Sequence, residues 1–377
     1  MIRIKNFLPE LACKEMGIDD RIQELEEKLQ KTPVNKATEK ERGRLKGQIA
    51  ELKEEKQKKQ KGTGDTSGYA VEKKGDATVA LVGFPSVGKS TLLNKLTNAD
   101  SETGHYEFTT LDVEPGMLKH KGANIQILDV PGLIGGAADG RGGGSQVLSV
   151  VRNADLILFM LDPEEMREEE IKQEVYNVGI RTNTSPPDMK VEKRGKGGIK
   201  ISSTVDLDIE EETLKQLMKQ RGYTNAGLTI REKIDLDRFI DGLMSNRKYL
   251  PAITTVNKAD MLGPETRKEY EEEYDLLISA DEGNNLDELK DLIFDRLGLV
   301  RVYMKEKGEE ADKEDPLILR EGDTVDDALD ELPGDMKERF KKAKVTGPSS
   351  KFPDQKVGKD HELMDEDVLE LNLRHLA

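Results

Sequence analysis

Three short apolar runs divide the chain: Ala77-Thr78-Val79-Ala80-Leu81-Val82, Asn124-Ile125-Gln126-Ile127-Leu128 and Ile253-Thr254-Thr255-Val256. Runs of this length without strict polar alternation predict strands buried on both faces, as in a parallel sheet covered by helices. Asp275 to Ile278 predicts a further strand, and Val113 to Lys119 another. The ends of the chain read differently. Ile18, Ile22, Leu25 and Leu29 fall on one helical face, as do Leu45, Ile49 and Leu52, with Thr38-Glu39-Lys40-Glu41 read as a capping box between them, which predicts an antiparallel helical hairpin. From Leu299 onward, Val300 to Met304 and Leu317 to Leu319 predict a hairpin, Thr324 to Leu329 a capped helix, and Val368 to Leu373 a final alternating strand, the order of a β-grasp.

Each central strand runs into a loop carrying chemistry. The first is followed by Gly83-Phe84-Pro85-Ser86-Val87-Gly88-Lys89-Ser90-Thr91, which matches G-x-x-x-x-G-K-[ST] and opens a helix. In that setting the loop's N–H groups and the helix dipole converge on an anion, so Gly83, Pro85, Ser86, Val87, Gly88, Lys89, Ser90 and Thr91 are candidate phosphate ligands. Lys89 is expected to bridge the outer phosphates, and the Ser90 hydroxyl to ligate Mg²⁺.

Asp129 ends the second run, where a carboxylate can hold a metal-bound water, and Gly132 of Asp129-Val130-Pro131-Gly132 offers an N–H to a γ-phosphate. Upstream, Tyr106-Glu107-Phe108-Thr109-Thr110-Leu111 supplies two hydroxyls, of which Thr110 is favoured over Thr109 to complete the metal shell when a γ-phosphate is present. Lys89, Thr110 and Gly132 are thus the candidate catalytic residues, and Ser90, Thr110 and Asp129 (through water) the candidate metal set. Leu133 stands where a water-orienting glutamine would be needed, and leucine cannot orient water, so hydrolysis is expected to be slow unless potassium, the substrate phosphate or a partner supplies that function. Arg141, in the glycine-rich run after Leu133, reads as a solvated arginine before it reads as a cis arginine finger.

The third run leads into Asn257-Lys258-Ala259-Asp260. A carboxylate accepts two hydrogen bonds side by side, which guanine offers from N1–H and its 2-amino group and adenine does not, so Asp260 is expected to select GTP and GDP over adenine nucleotides. Asn257 is expected at the base edge, the Lys258 stem over the ring, and Ser279-Ala280 in a fifth loop whose backbone reaches the base carbonyl.

With 36% charged against 35% hydrophobic residues and no apolar run long enough to span a bilayer, the chain is expected to be a cytoplasmic protein with no membrane partner. The lone cysteine, Cys13, excludes an intrachain disulfide, and four scattered histidines offer no structural zinc set. A net charge of −16 argues against global attraction to nucleic acid. Local basic stretches remain, at Glu54 to Lys61 and at Lys190 to Lys200. The first reads as a solvated helix end before an RNA contact, and the second as an exposed turn before an RNA-contacting hairpin.

The wording Gly-Phe-Pro-Ser-Val-Gly-Lys-Ser-Thr, Tyr-Glu-Phe-Thr-Thr-Leu and Asp-Val-Pro-Gly-Leu-Ile, with Lys121 to Gln126 and Val357 to His361, resembles the Obg family of GTPases, and within it the developmentally regulated GTP-binding (DRG) group of archaeal type. The resemblance implies an α/β P-loop GTPase with a doubly wound sheet, an N-terminal helical hairpin, a small inserted α/β domain and a C-terminal ubiquitin-like TGS domain. Residues 1–15 are expected to be an extension or misplaced start, 16–62 the hairpin, 63–75 a linker, 76–165 with 246–298 the GTPase domain, 166–245 the insert, and 299–377 the TGS domain. The resemblance further implies a link to ribosomes or RNA through the TGS, inserted and N-terminal domains, and leaves room for an accessory protein.

Overall fold

A computed structural model describes residues 17–62, 74–97, 114–130, 150–306 and 308–374. These fall into two compact units, one made of 17–62 with 175–249 and the other of 74–97, 114–130, 150–174 and 250–374.

The chain opens with helices α1 (Ile18–Lys31) and α2 (Glu39–Gly62). Ile22, Ile49 and Leu52 are buried between them, with Ile18, Leu25 and Leu29 packed around. The Thr38 capping box does not form. Thr38 N–H donates to Asn35 Oδ1 at 3.0 Å, the Thr38 hydroxyl to the Pro33 carbonyl at 2.5 Å, and Arg44 holds the Glu41 carboxylate at 2.6 Å. A local turn with Asn35 thus outcompetes the helix end for the same groups. Four lysines of α2 are paired: Lys53 with Glu26, Lys56 with Asp19, Lys58 with Glu54 and Lys59 with Glu55.

Strands β1 (Ala77–Val82), β2 (Glu114–His120), β3 (Ala123–Asp129) and β4 (Leu156–Leu161) follow, with helix α3 (Lys89–Thr97) between β1 and β2. All six residues of β1 and all six of β4 are buried, which is why their sequences are continuous apolar runs. After α4 (Glu168–Asn177) and β5 (Ile180–Thr182), the chain forms β6 (Met189–Lys193), β7 (Ile199–Ser203), α5 (Glu211–Gln220), β8 (Ala226–Ile230) and α6 (Leu236–Leu243). Residues 190–200 do not form a hairpin: β8 lies between β6 and β7, antiparallel to the first and parallel to the second. The physical reason is burial, since Ala226, Leu228 and Ile230 make β8 the most apolar of the three and place it at the centre. One side of this sheet is covered by Leu214, Leu217 and Met218 of α5 and by Phe239 and Ile240 of α6, and Ala50 of α2 joins the same core.

Strand β9 (Lys248–Leu250) pairs with β5, and the chain continues through β10 (Ala252–Val256), α7 (Pro264–Glu273), β11 (Leu276–Leu277) and α8 (Leu286–Arg296). The central sheet runs β11-β10-β4-β1-β3-β2, parallel throughout except for the antiparallel edge strand β2. β1 is flanked by β3 on one side and β4 on the other, so the loops at its carboxyl end stand at the point where the winding reverses, which is where such sheets bind ligands.

Two residues separate α8 from β12 (Leu299–Met304), which pairs antiparallel with β13 (Leu317–Arg320) and parallel with β16 (Asp367–Leu373). β14 (Phe340–Thr346) and β15 (Gln355–Val357) complete the order β13-β12-β16-β14-β15. Helix α9 (Val325–Glu331), capped at Thr324 by a capping box with Asp327, buries Val325, Ala328 and Leu329 against Val302, Val345 and Leu369, and the short α10 (Met336–Arg339) follows. This β-grasp lies against the central sheet. Arg320 reaches Asp155 at 3.7 Å and the Asp76 carbonyl at 3.4 Å, and at Gly122, in the β2–β3 turn, a Cβ would lie 2.3 Å from Pro316.

Candidate functional site

The phosphate loop leaves β1 at Gly83 and enters α3 at Lys89. Its shape is imposed by close packing. Gly88 has φ +97°, and a Cβ there would lie 2.5 Å from Asn257 Nδ2, so only glycine fits. Val87 is buried and anchors the loop, while Pro85, Ser86 and Thr91 are exposed. Lys89 folds back along the loop and donates to the Gly83 and Phe84 carbonyls, each at 3.0 Å. Burial pushes its pKa down, and the nearby Asp129 carboxylate opposes that only in part.

The Ser90 hydroxyl donates to Asp129 Oδ2 at 2.9 Å. Asp129 is 5% exposed, and its Oδ1 is buried without a hydrogen-bond partner among the described residues. A carboxylate oxygen left in that state costs roughly 1–3 kcal/mol or more. A hydroxyl, a carboxylate and an orphaned oxygen beside a phosphate loop are the hard oxygen donors that Mg²⁺ accepts, directly or through water, so this site fits the ion.

The base end is held by Asn257, which is 4% exposed. Its Nδ2 donates to the Val87 carbonyl at 2.8 Å, and its Oδ1 accepts from Ala280 N–H at 2.9 Å. Asn257 and the Ala280 backbone, both expected to face a base, are therefore engaged with each other and with the phosphate loop. Lys258 adopts a left-handed backbone (φ +56°), and its Nζ meets Asp162 Oδ2 at 2.5 Å. Asp260 is exposed on the turn Ala259–Met261. Ser279 is buried, and its N–H donates to the Asn284 carbonyl, which fixes the fifth loop.

Phe108, Thr109, Thr110, Gly132, Leu133 and Arg141 lie outside the described residues. The structure brings together Lys89, Ser90 and Asp129 at one end, and Asn257, Lys258 and Ala280 at the other. It adds two residues that the sequence reading missed: Asp162, and Arg167, whose guanidinium lies 4.0 Å above the Phe84 ring. The signal for Asp162 was present, since an apolar run, Leu156 to Leu161, ends in a carboxylate just as β3 does.

A parallel sheet with a phosphate loop after its central strand, a carboxylate ending the neighbouring strand and Asn-Lys-x-Asp after β10 defines a P-loop guanine-nucleotide-binding protein. Family comparison agrees: residues 78–193 match the family described as "50S ribosome-binding GTPase", 196–299 the C-terminal region of that domain, and 300–372 the TGS domain. An uncharacterised GTP-binding protein of Halobacterium salinarum is 50% identical over 95% of this chain and 100% of its own. One of Methanocaldococcus jannaschii is 48% identical over 95% and 94%, and developmentally-regulated GTP-binding protein 2 of Homo sapiens is 39% identical over 94% and 99%. The chain belongs to the DRG group of Obg-type GTPases with a C-terminal TGS domain. Among the described residues, no helix is long and apolar enough to cross a membrane.

Proposed function

We propose that the protein hydrolyses GTP to GDP and phosphate with Mg²⁺ and acts as a cytoplasmic switch read by the ribosome. The observation that carries the reading is the hydrogen bond from Ser90 to the buried Asp129, whose Oδ1 has no partner among the described residues, beside the folded-back Lys89. On nucleotide entry, Lys89 exchanges the Gly83 and Phe84 carbonyls for the β- and γ-phosphates, and loop N–H groups between Gly83 and Ser90 cradle the chain of phosphates. Ser90 and, through water, Asp129 would hold Mg²⁺, which would supply positive charge to the phosphates. Asp260 accepts the two guanine donors, the Lys258 stem covers the ring, and Asn257 keeps base loop and phosphate loop in register. Thr110 and the Gly132 N–H are assigned to the γ-phosphate, and Thr109 and Phe108 to the same nucleotide.

Water attacks the γ-phosphorus as the bond to the β–γ bridging oxygen breaks, and the water's proton leaves with the phosphate product. Leu133 offers nothing to orient that water. Hydrolysis is therefore slow alone, and potassium, the substrate phosphate or a partner raises it. The partner in this reading is ribosomal RNA or protein met through the TGS, inserted and N-terminal modules, with or without an accessory protein. Leu133 also supports a second reading, a nucleotide-gated ribosome-binding scaffold in which hydrolysis is incidental.

Steady-state GTP hydrolysis in potassium and in sodium buffer, each with and without the organism's ribosomes, separates them. Ribosome stimulation supports the switch. Binding in GTP without a change in rate supports the scaffold, and fast turnover in sodium without a partner overturns the role given to Leu133.

A further inference from the structure

We propose that the segment from Asp162 to Arg167 is a brace joining the two ends of the nucleotide site, in which Asp162 positions Lys258 over the base and Arg167 steadies the phosphate loop through Phe84. The inference rests on the guanine-site reading above and adds residues that reading does not use.

Asp162 is 8% exposed at the end of β4, and its carboxylate is fixed from two sides. Oδ1 accepts from Glu164 N–H at 3.0 Å, and the Glu165 N–H returns to the Asp162 carbonyl at 3.0 Å, closing a tight turn. That leaves Oδ2 aimed at Lys258 Nζ, 2.5 Å away. Lys258 sits on a left-handed backbone with a third of its side chain exposed, so its ammonium is tied down while part of the stem remains accessible. An unrestrained lysine carries considerable rotamer entropy, and ordering it before the ligand arrives removes that cost from binding.

Five residues on, the Arg167 guanidinium lies 4.0 Å above the Phe84 ring and is itself held by Glu165 and, at 3.8 Å, by Glu170. Phe84 is 6% exposed, and its carbonyl is one of the two that hold Lys89. A cation over a buried ring is an attractive contact, so Arg167 fixes the stretch of loop from which Lys89 must depart. The brace thus ends at both lysines of the site, and it is separate from the tie that Asn257 makes to Val87.

The test uses the full chain, with GDP and Mg²⁺ in calorimetry and GTP in steady-state turnover. Asp162→Asn keeps an acceptor for Glu164 N–H and replaces the oxygen facing Lys258 by an uncharged amide donor; Asp162→Ser serves as a second neutral variant, and apo melting verifies folding. The expected result is GDP binding weakened about tenfold, with KM for GTP raised to match and kcat at saturation unchanged, a split that general loosening of the fold would not give. Lys258→Met should show a similar loss, and the D162N/K258M double variant should be no worse than K258M alone. Arg167→Met should weaken GDP severalfold, and less than multiplicatively when combined with D162N. Losses at Asp162 and Lys258 that add in full, or a fall in kcat with KM unchanged, would overturn the brace. If wild type fails to bind GDP, the guanine-site reading fails; if wild type binds and D162N binds equally well, only the brace fails.

Discussion

At the phosphate end of the candidate site, the described groups are engaged with one another: Lys89 rests on two loop carbonyls, Ser90 on Asp129, and one Asp129 oxygen has no partner among the described residues. At the base end, Asn257 already spans from Val87 to Ala280, Lys258 is tied to Asp162, and only Asp260 stands exposed. On the function proposed above, the phosphate end rearranges to bind, whereas the base end is assembled beforehand. A site of that kind would recognise guanine through a pre-paired frame and leave the conformational response to the phosphates, which alone differ between GTP and GDP.

The contrast breaks most sharply at Lys89. Lys89→Met should lower GTP affinity about a hundredfold, close to 3 kcal/mol, with a much smaller effect on apo stability, because the lost bonds to the Gly83 and Phe84 carbonyls are offset by removal of a buried charge. Calorimetry and apo denaturation measure the two effects separately. At the base end, Asp260→Asn should cost about a hundredfold in GTP affinity with apo melting unchanged, since Asp260 is exposed. Asn257→Ala should instead destabilise the apo chain by roughly 2–4 kcal/mol, because it leaves the Val87 carbonyl and the Ala280 N–H unpaired. Equal apo melting for the two variants would erase the distinction between frame and reader. The smallest effect is on pH dependence. Burial depresses the folded pKa of Lys89. Between that value and the ordinary lysine value of about 10.4, the folded chain holds fewer protons than the unfolded one, so apo stability should rise with pH through that window. Denaturant titrations across it should show the rise in wild type and a flatter profile in Lys89→Met.

The central sheet was legible because strands buried on both faces are mostly apolar, and β1, β3 and β10 are, with Thr78, Gln126, Asp129, Thr254 and Thr255 their buried polar positions. The phosphate loop was legible from spacing, since Gly88 and Lys89 answer to local geometry. What stayed hidden depends on neighbours distant in sequence. Nothing near Asn257 reveals that Val87 and Ala280 will occupy both of its polar ends, and nothing near Asp162 names Lys258, 96 residues on, as its partner. One local reading failed where competition decided the outcome: Asn35 displaced the helix-end bonds expected of Thr38. Between Lys190 and Lys200 the favoured exposed turn is present, and the alternative hairpin is not, because β8 takes the central place between β6 and β7.

The junction at Leu297-Gly298 also has a hydrodynamic meaning. No tether separates α8 from β12, and the contacts of Pro316 with Gly122 and of Arg320 with Asp155 give the β-grasp no room to turn alone. A rigidly attached fluorophore on β15 would report the rotational correlation time of the whole compact unit rather than that of a domain of some seventy residues.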